Sequence, residues 1–226
     1  MTPQAVQFGL LGAGLAYWSI QIGGNGLWLL WPAINFLIIG GAYWTKTHGV
    51  FGKKRDGTLP LWSWLLYLPY HALNVFLWTA ARLISREPPF NAVGDTLVVS
   101  RRLIGREVQG SYANYVDLTA EFQEPRAARR LEGYLALPTL DASAPSIATL
   151  QVAIQSLRPG LTLVHCAQGH GRAGLFALVL LLAKGGIKNV SEGLALLQNA
   201  RPAIRLNARQ LKCAQEFERQ LKDRRA

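Results

Sequence analysis

In the run His165-Cys166-Ala167-Gln168-Gly169-His170-Gly171-Arg172, a cysteine and an arginine are separated by five residues, two of them glycine. A thiol beside a glycine-rich turn can attack phosphorus, provided something holds the phosphate in front of it. Backbone N–H groups of a glycine-rich loop that opens a helix can do this, because they point inward and the helix dipole adds positive potential. The same field favours the thiolate, which is the nucleophilic form of Cys166. Arg172, at the far end of the loop, can grip two phosphate oxygens in a fork. The spacing therefore suits a phosphate-binding loop, Ala167 to Arg172, with a thiolate nucleophile at its entrance.

Such a loop needs a strand before it and a helix after it. Leu161-Thr162-Leu163-Val164 reads as a buried strand, and Ala173 to Lys184 reads as a helix. Further strands are predicted at Thr96-Leu97-Val98-Val99, Tyr115-Val116-Asp117-Leu118 and Tyr134-Leu135-Ala136-Leu137. Helical periodicity covers residues 146–157, 173–185, 191–200 and 207–222. Strands alternating with helices predict an α/β domain with a mostly parallel central sheet flanked by helices.

Extended by Gly169, Gly171 and Gly174, the His-Cys-x5-Arg run resembles the signature of the cysteine-dependent phosphatases, the dual-specificity and protein tyrosine phosphatase superfamily. The resemblance covers most of the C-terminal half and implies a phosphocysteine intermediate. It also implies a general acid in a loop upstream of the cysteine. Asp141, 25 residues before Cys166 in Leu137-Pro138-Thr139-Leu140-Asp141-Ala142-Ser143-Ala144-Pro145, fits that role. The competing reading is that Asp141 ends a turn ahead of the next helix. Asp117 and Glu121 are fallback acids, in a stretch similar to a Val-Asp-Leu-Thr segment that is structural in the family. His165 is expected to hold the loop and keep the thiolate poised; a satisfied core histidine is an equally physical description. His170 either tunes substrate choice or is a solvated loop residue. Arg201, in an Arg-Pro pair, is expected to support the loop, and Asn207 to cap the last helix. Cys213 reads as a bystander. The chain departs from the family at Ala173, where a Ser or Thr hydroxyl ordinarily bonds the cysteine sulfur. Its loss predicts a slower enzyme, one that accumulates phosphocysteine unless another donor serves.

The composition is split. Residues 1–45 contain no Asp, Glu, Lys or Arg, and all seven Trp fall at or before Trp78. Every acidic residue except Asp56 lies at Glu87 or later. Arg86-Glu87-Pro88-Pro89 marks the break between a membrane region, 1–85, and a catalytic domain, 86–226. Phe8 to Ile22 and Leu27 to Trp44, joined by Gly23-Gly24-Asn25-Gly26, predict a two-helix transmembrane hairpin with Trp18, Trp28, Trp31 and Trp44 near its ends. The third apolar stretch, Leu59 to Leu83, carries Ser63, Tyr67, Tyr70, His71 and Asn74 on one face. This stretch is expected to lie in the interface or pack on the hairpin, rather than span. Basic residues on both its flanks then stay in the cytoplasm with the catalytic domain, as expected for an integral protein of a bacterial inner membrane.

The net charge of +11 fits an anionic membrane surface and phosphorylated substrates better than nucleic acid, for which no binding motif is visible. Two cysteines imply no disulfide framework. No cofactor and no metal are expected, because His and acidic residues are not grouped at ligand spacing. The expected partners are the lipid bilayer and a phosphorylated lipid or protein. Three readings of function follow: a phosphatase of a lipid phosphate head group, a tethered phosphoprotein phosphatase, and a non-catalytic phosphate-binding module weakened by Ala173. Rhodanese-like sulfur transfer is disfavoured by the His-Cys start, the Arg spacing and Asp141.

Overall fold

The computed structural model describes residues 2–224. The chain forms two compact units, one of Met1–Lys54, Thr58–Ser85 and Ala120–Gln123, the other of Arg55–Gly57, Arg86–Thr119 and Glu124–Ala226.

The first unit is helical. Helix α1 (Pro3–Ile22) begins at a Thr2 cap with proline in its first turn, and stops at Gly23, whose φ is +60°. A 3-10 turn over Gly24–Leu29 leads into α2 (Leu30–Thr45). The two helices approach closely through small residues: a Cβ on Gly12 would stand 2.8 Å from Leu37 Cγ, and one on Gly40 would stand 3.0 Å from Gly9 N. Phe8 stacks between Phe36 and Tyr43 with centroids 5.9 and 5.6 Å away. Pro3–Ile22 and Gly24–Thr45 are each long and apolar enough to cross a membrane.

The third apolar stretch forms two helices, α3 (Leu61–Leu66) and α4 (Leu68–Ile84), broken at Tyr67 ahead of Pro69. The carbonyl of Leu66 that the break frees accepts from Trp31 Nε1 at 3.0 Å and from Asn35 Nδ2 at 2.7 Å. The polar stripe turns inward. Ser63, Tyr67, Tyr70 and His71 are buried, and Ser63 Oγ lies 3.4 Å from His71 Nε2. Residues 120–123 pack with these helices, Phe122 against Trp78 at 6.0 Å and Gln123 Oε1 accepting from Leu59 N. Leu10, Ile20, Trp28, Phe76 and Leu83 are exposed on the outside.

The second unit is built on a five-stranded sheet of order β1-β2-β5-β3-β4. Its strands are β1 (Phe90–Val93), β2 (Leu97–Arg101), β3 (Asn114–Thr119), β4 (Tyr134–Thr139) and β5 (Thr162–Cys166). Only β1 is antiparallel, as a hairpin with β2; the other pairings are parallel. The mostly parallel sheet flanked by helices is thus the one expected from the sequence. The helices are α5 (Arg126–Arg129), α6 (Ile147–Gln155), α7 (Arg172–Ala183), α8 (Val190–Ala200) and α9 (Ala208–Asp223).

Alternation along the strands sends Leu97, Val99, Val116, Leu118 and Val164 to one face, where they pack with α6–α9 around the almost wholly buried α7. Val98, Tyr115 and Leu163 point to the other face, over α5 and its neighbours. Ser100, His165 and Asp117 form the next row on that same face, since Ser100 and Asp117 both pair with His165 across the sheet.

Candidate active site

Cys166 is the last residue of the central strand β5, and Arg172 opens α7, so the loop between them runs from strand end to helix N-terminus. Gly169 turns this loop with a φ of +76°. Its α-carbon lies so near β2 that a Cβ would stand 2.5 Å from the Ser100 carbonyl oxygen. The Ala167 carbonyl accepts from Arg102 N at 3.2 Å, which seats the loop on the end of β2. Cys166 is buried, and its Sγ receives the Gly169 N–H at 3.2 Å. Ala173 is fully buried in the first turn of α7.

The guanidinium of Arg172 is buried. Its Nη1 donates to the Thr139 carbonyl at the end of β4 at 2.8 Å, and its Nη2 lies 3.1 Å from Asp141 Oδ1. Asp141, with 71% of its side chain exposed, leans over the site from the loop after β4. The fold therefore brings Asp141 onto Arg172, which lies at the opposite end of the loop from Cys166.

Arg201, just past α8, is the hub behind the loop. Its Nη1 donates to the Pro88 carbonyl at 3.0 Å and to Asn91 Oδ1 at 2.7 Å. Its Nη2 donates to Glu87 Oε2 and to the Gln168 carbonyl, each at 3.0 Å. Burial pulls the guanidinium below the ordinary arginine range, opposed by the charges of Glu87 and Cys166. Glu87 Oε2 also lies 2.8 Å from His170 Nε2, so His170 is tied to the segment before β1 rather than left to solvent. Neither Glu87 nor Asn91 carries a sequence signal for this role; they meet Arg201 only because the chain folds back over 114 and 110 residues.

Beneath the loop lies a buried polar row. His165 Nε2 is 3.6 Å from Asp117 Oδ1 and 3.7 Å from Glu124 Oε2. The donor atoms of Asp117, Glu124 and His165 all lie within 4.8 Å of one another, close enough to hold a metal ion. However, Asp117 Oδ1 already accepts from Thr119 N and Oγ1, and its Oδ2 from Tyr134 Oη at 2.6 Å. Glu124 Oε1 is held by Arg102 at 2.7 Å. Asp117 is thus occupied by protein donors, whereas Glu124 Oε2 and His165 Nε2 face each other without a hydrogen-bond partner among the described residues. Burial, with the charge of Asp117, pushes the Tyr134 hydroxyl far up, which keeps it a donor. Asp117 is thus committed inside the sheet. Glu121 belongs to the helical unit, where its Oε2 accepts from Ala120 N.

Residues 115–222 match the family described as "Swiss Army Knife protein, DSP-PTPase phosphatase domain". Over these residues the second unit is similar to a dual-specificity-type cysteine phosphatase domain. Solved phosphatase structures share its fold. Tk-PTP in its active form is 23% identical, with a TM-score of 0.53 over 58% of this chain and 97% of that one. PTPMT1 in complex with PI(5)P is 15% identical, with a TM-score of 0.53 over 62% of this chain and all of that one. Human tyrosine phosphatase-like serine/threonine/tyrosine-interacting protein is 18% identical, with a TM-score of 0.52 over 59% and 97%. At these identities the likeness to the phosphatase domain is one of fold. No curated protein matches the chain.

Proposed function

We propose that the chain is a membrane-anchored cysteine phosphatase that hydrolyses a phosphate monoester, with a lipid phosphate head group as its substrate. The observation that supports the chemistry is a loop running from Cys166 at the end of β5 to Arg172 at the N-terminus of α7, with Asp141 Oδ1 3.1 Å from Arg172 Nη2. In the first step Cys166 Sγ attacks phosphorus. The S–P bond forms, the ester P–O bond breaks, and Asp141 gives its proton to the leaving oxygen. Arg172 and the loop N–H groups from Ala167 to Arg172 bind the equatorial oxygens as charge builds on them. In the second step water attacks phosphorus, returns a proton to Asp141 and releases the thiolate and inorganic phosphate. His165 and Arg201 hold the loop from behind. The Gly169 N–H on Sγ supplies part of the stabilisation that Ala173 cannot give.

The lipid reading rests on residues 1–85 as a membrane region and 86–226 as the catalytic domain. The helical unit exposes Leu10, Ile20 and Phe76, while Asn35, Ser63 and His71 are buried along with Phe36, Ile39, Phe51 and Tyr70. That apolar exterior suits a lipid solvent, in which the carbonyl freed at Leu66 must find donors within the protein. The fold itself admits such a head group, since PTPMT1 holds PI(5)P.

The test is phosphate release in detergent micelles from a panel of phospholipid phosphates, phosphopeptides and an aryl phosphate. We expect release from one lipid class, abolished by Cys166→Ser and raised by Ala173→Ser. Release from phosphopeptides alone would replace the lipid reading with the phosphoprotein one. Release from nothing, even by Ala173→Ser, would leave a phosphate-binding module.

A further inference from the structure

The N-terminal face of α9 presents three donors, one turn apart, to the loop that carries Asp141. Asn207 Nδ2 donates to the Ala142 carbonyl at 2.8 Å, Gln210 Nε2 to the Ser143 carbonyl at 3.1 Å, and Cys213 Sγ to the Pro145 carbonyl at 3.6 Å. Asn207 and Gln210 also form the capping box of α9: Asn207 Oδ1 accepts from Gln210 N at 3.0 Å, and Gln210 Oε1 accepts from Asn207 N at 3.1 Å. Each side chain thus spends its oxygen on the helix start and its NH2 on the Asp141 loop. Gln210 is buried, and its amide also abuts the phosphate loop, where a Cβ on Gly171 would stand 3.0 Å from Oε1. One residue thereby touches the loops that carry Cys166 and Asp141.

The Asp141 loop needs outside support. Ala142, the residue after Asp141, has a φ of +53°, a left-handed conformation that a non-glycine residue keeps only when its surroundings enforce it. The hydrogen bonds to the carbonyls of Ala142 and Ser143 act at this point. We infer that Asn207 and Gln210, backed by Cys213, are positioning residues that set the reach of the Asp141 carboxyl toward the leaving oxygen. Burial pushes the Cys213 thiol up, so it stays protonated and able to donate. The inference rests on the reading of Asp141 as general acid.

Two variants separate loop support from helix capping. Asn207→Ser keeps an N-cap oxygen but loses the Nδ2 donor. Gln210→Met loses the Nε2 donor without placing a charge beside the phosphate loop, and its loss of the capping acceptor is read against Asn207→Ser, which keeps the N-cap oxygen. Both are measured in the full chain in detergent, beside Asp141→Asn, with phenyl phosphate (a poor leaving group) and nitrophenyl phosphate (a good one). A displaced acid slows the poor leaving group selectively. We expect roughly a tenfold to hundredfold loss of kcat on phenyl phosphate and less than about threefold on nitrophenyl phosphate. Hydrogen exchange of residues 140–145 should quicken in both variants, a readout that does not depend on turnover. Equal losses on the two substrates, or unchanged exchange in the loop, would overturn the inference. If Asp141→Asn is selective while neither α9 variant is, only the positioning role falls. If Asp141→Asn is not selective, the acid assignment falls and takes the positioning role with it.

Discussion

Gly169 is the residue on which the phosphate loop turns, and two independent constraints meet there. Its φ of +76° lies where side chains are strained, and a Cβ there would stand 2.5 Å from the Ser100 carbonyl oxygen. The contact is with strand backbone, so no side-chain rotation can relieve it. Gly169→Ala should therefore move the loop while the sheet beneath stays intact. Phosphate release should fall by roughly a hundredfold or more, the effect of misplacing reacting groups by about an ångström, with the circular dichroism spectrum unchanged. Normal turnover in Gly169→Ala would mean that the loop adopts another shape in the working enzyme. Ala173 acts in the opposite direction. The sulfur of Cys166 already has one donor in Gly169 N–H, so a hydroxyl introduced by Ala173→Ser adds a second rather than the first. The expected gain is correspondingly modest, about tenfold, the worth of one hydrogen bond to a charged group.

Helices α8 and α9 are joined by a carboxylate. Glu218, late in α9, accepts from Val190 N at the start of α8 at 2.8 Å, and is also paired with Lys222. The Lys222 hydrogen bond, then the Val190 N–H, hold the Glu218 carboxyl below the usual carboxylate range. Its stabilising effect is therefore fully present above the pKa of a free glutamate, about 4.3, and is lost as pH falls through the lowered folded value. Glu218→Gln should lower Tm by a few degrees at neutral pH, since the pair is partly exposed and worth about 1 kcal/mol at most. The gap between the two melting curves should close in acid. A gap that persists at low pH would assign the effect to packing instead of charge.

Elements of this kind also show how far the sequence could be read. The parallel strands β2, β3 and β5 stand out as apolar runs because both faces of each are covered, and β4 reads as a strand although it is a half-buried edge. β1 escapes notice because Phe90–Val93 is a half-exposed edge strand, and α5 because four residues are too few to show a period. The single apolar stretch over 59–83 hides the break at Tyr67, although Pro69 marks it. In the site, the Cys166-to-Arg172 loop is local in sequence and plainly legible. Gln210 on Ser143 and Glu87 on His170 join residues 67 and 83 apart, which only the packed fold reveals. Cys213, a bystander in the sequence, gains a partner the same way.

At the scale of the whole molecule, two different forces can hold such a protein to a membrane, and salt separates them. The net charge of +11 draws the chain toward anionic lipid, and this attraction is screened as the Debye length falls from about 10 Å at 0.1 M salt to about 3 Å at 1 M. On the proposed reading α1 and α2 are buried in hydrocarbon, which salt does not screen, and a hairpin of two helices of spanning length would stay in the bilayer when charges are masked. With the chain reconstituted in vesicles containing an anionic lipid phosphate, raising the salt from about 0.1 to about 1 M should leave the protein with the vesicles in a flotation assay. Turnover of the lipid phosphate should fall several-fold over the same range, through KM more than kcat, because the positive surface no longer concentrates anionic head groups at the loop. Nitrophenyl phosphate turnover in the same vesicles reports screening at the site itself, and should change less. Release of the protein by salt would refute the hairpin anchor and reduce the N-terminal region to a charged, peripheral attachment. Retention with equal salt effects on both substrates would keep the anchor, but would remove the membrane surface from substrate capture.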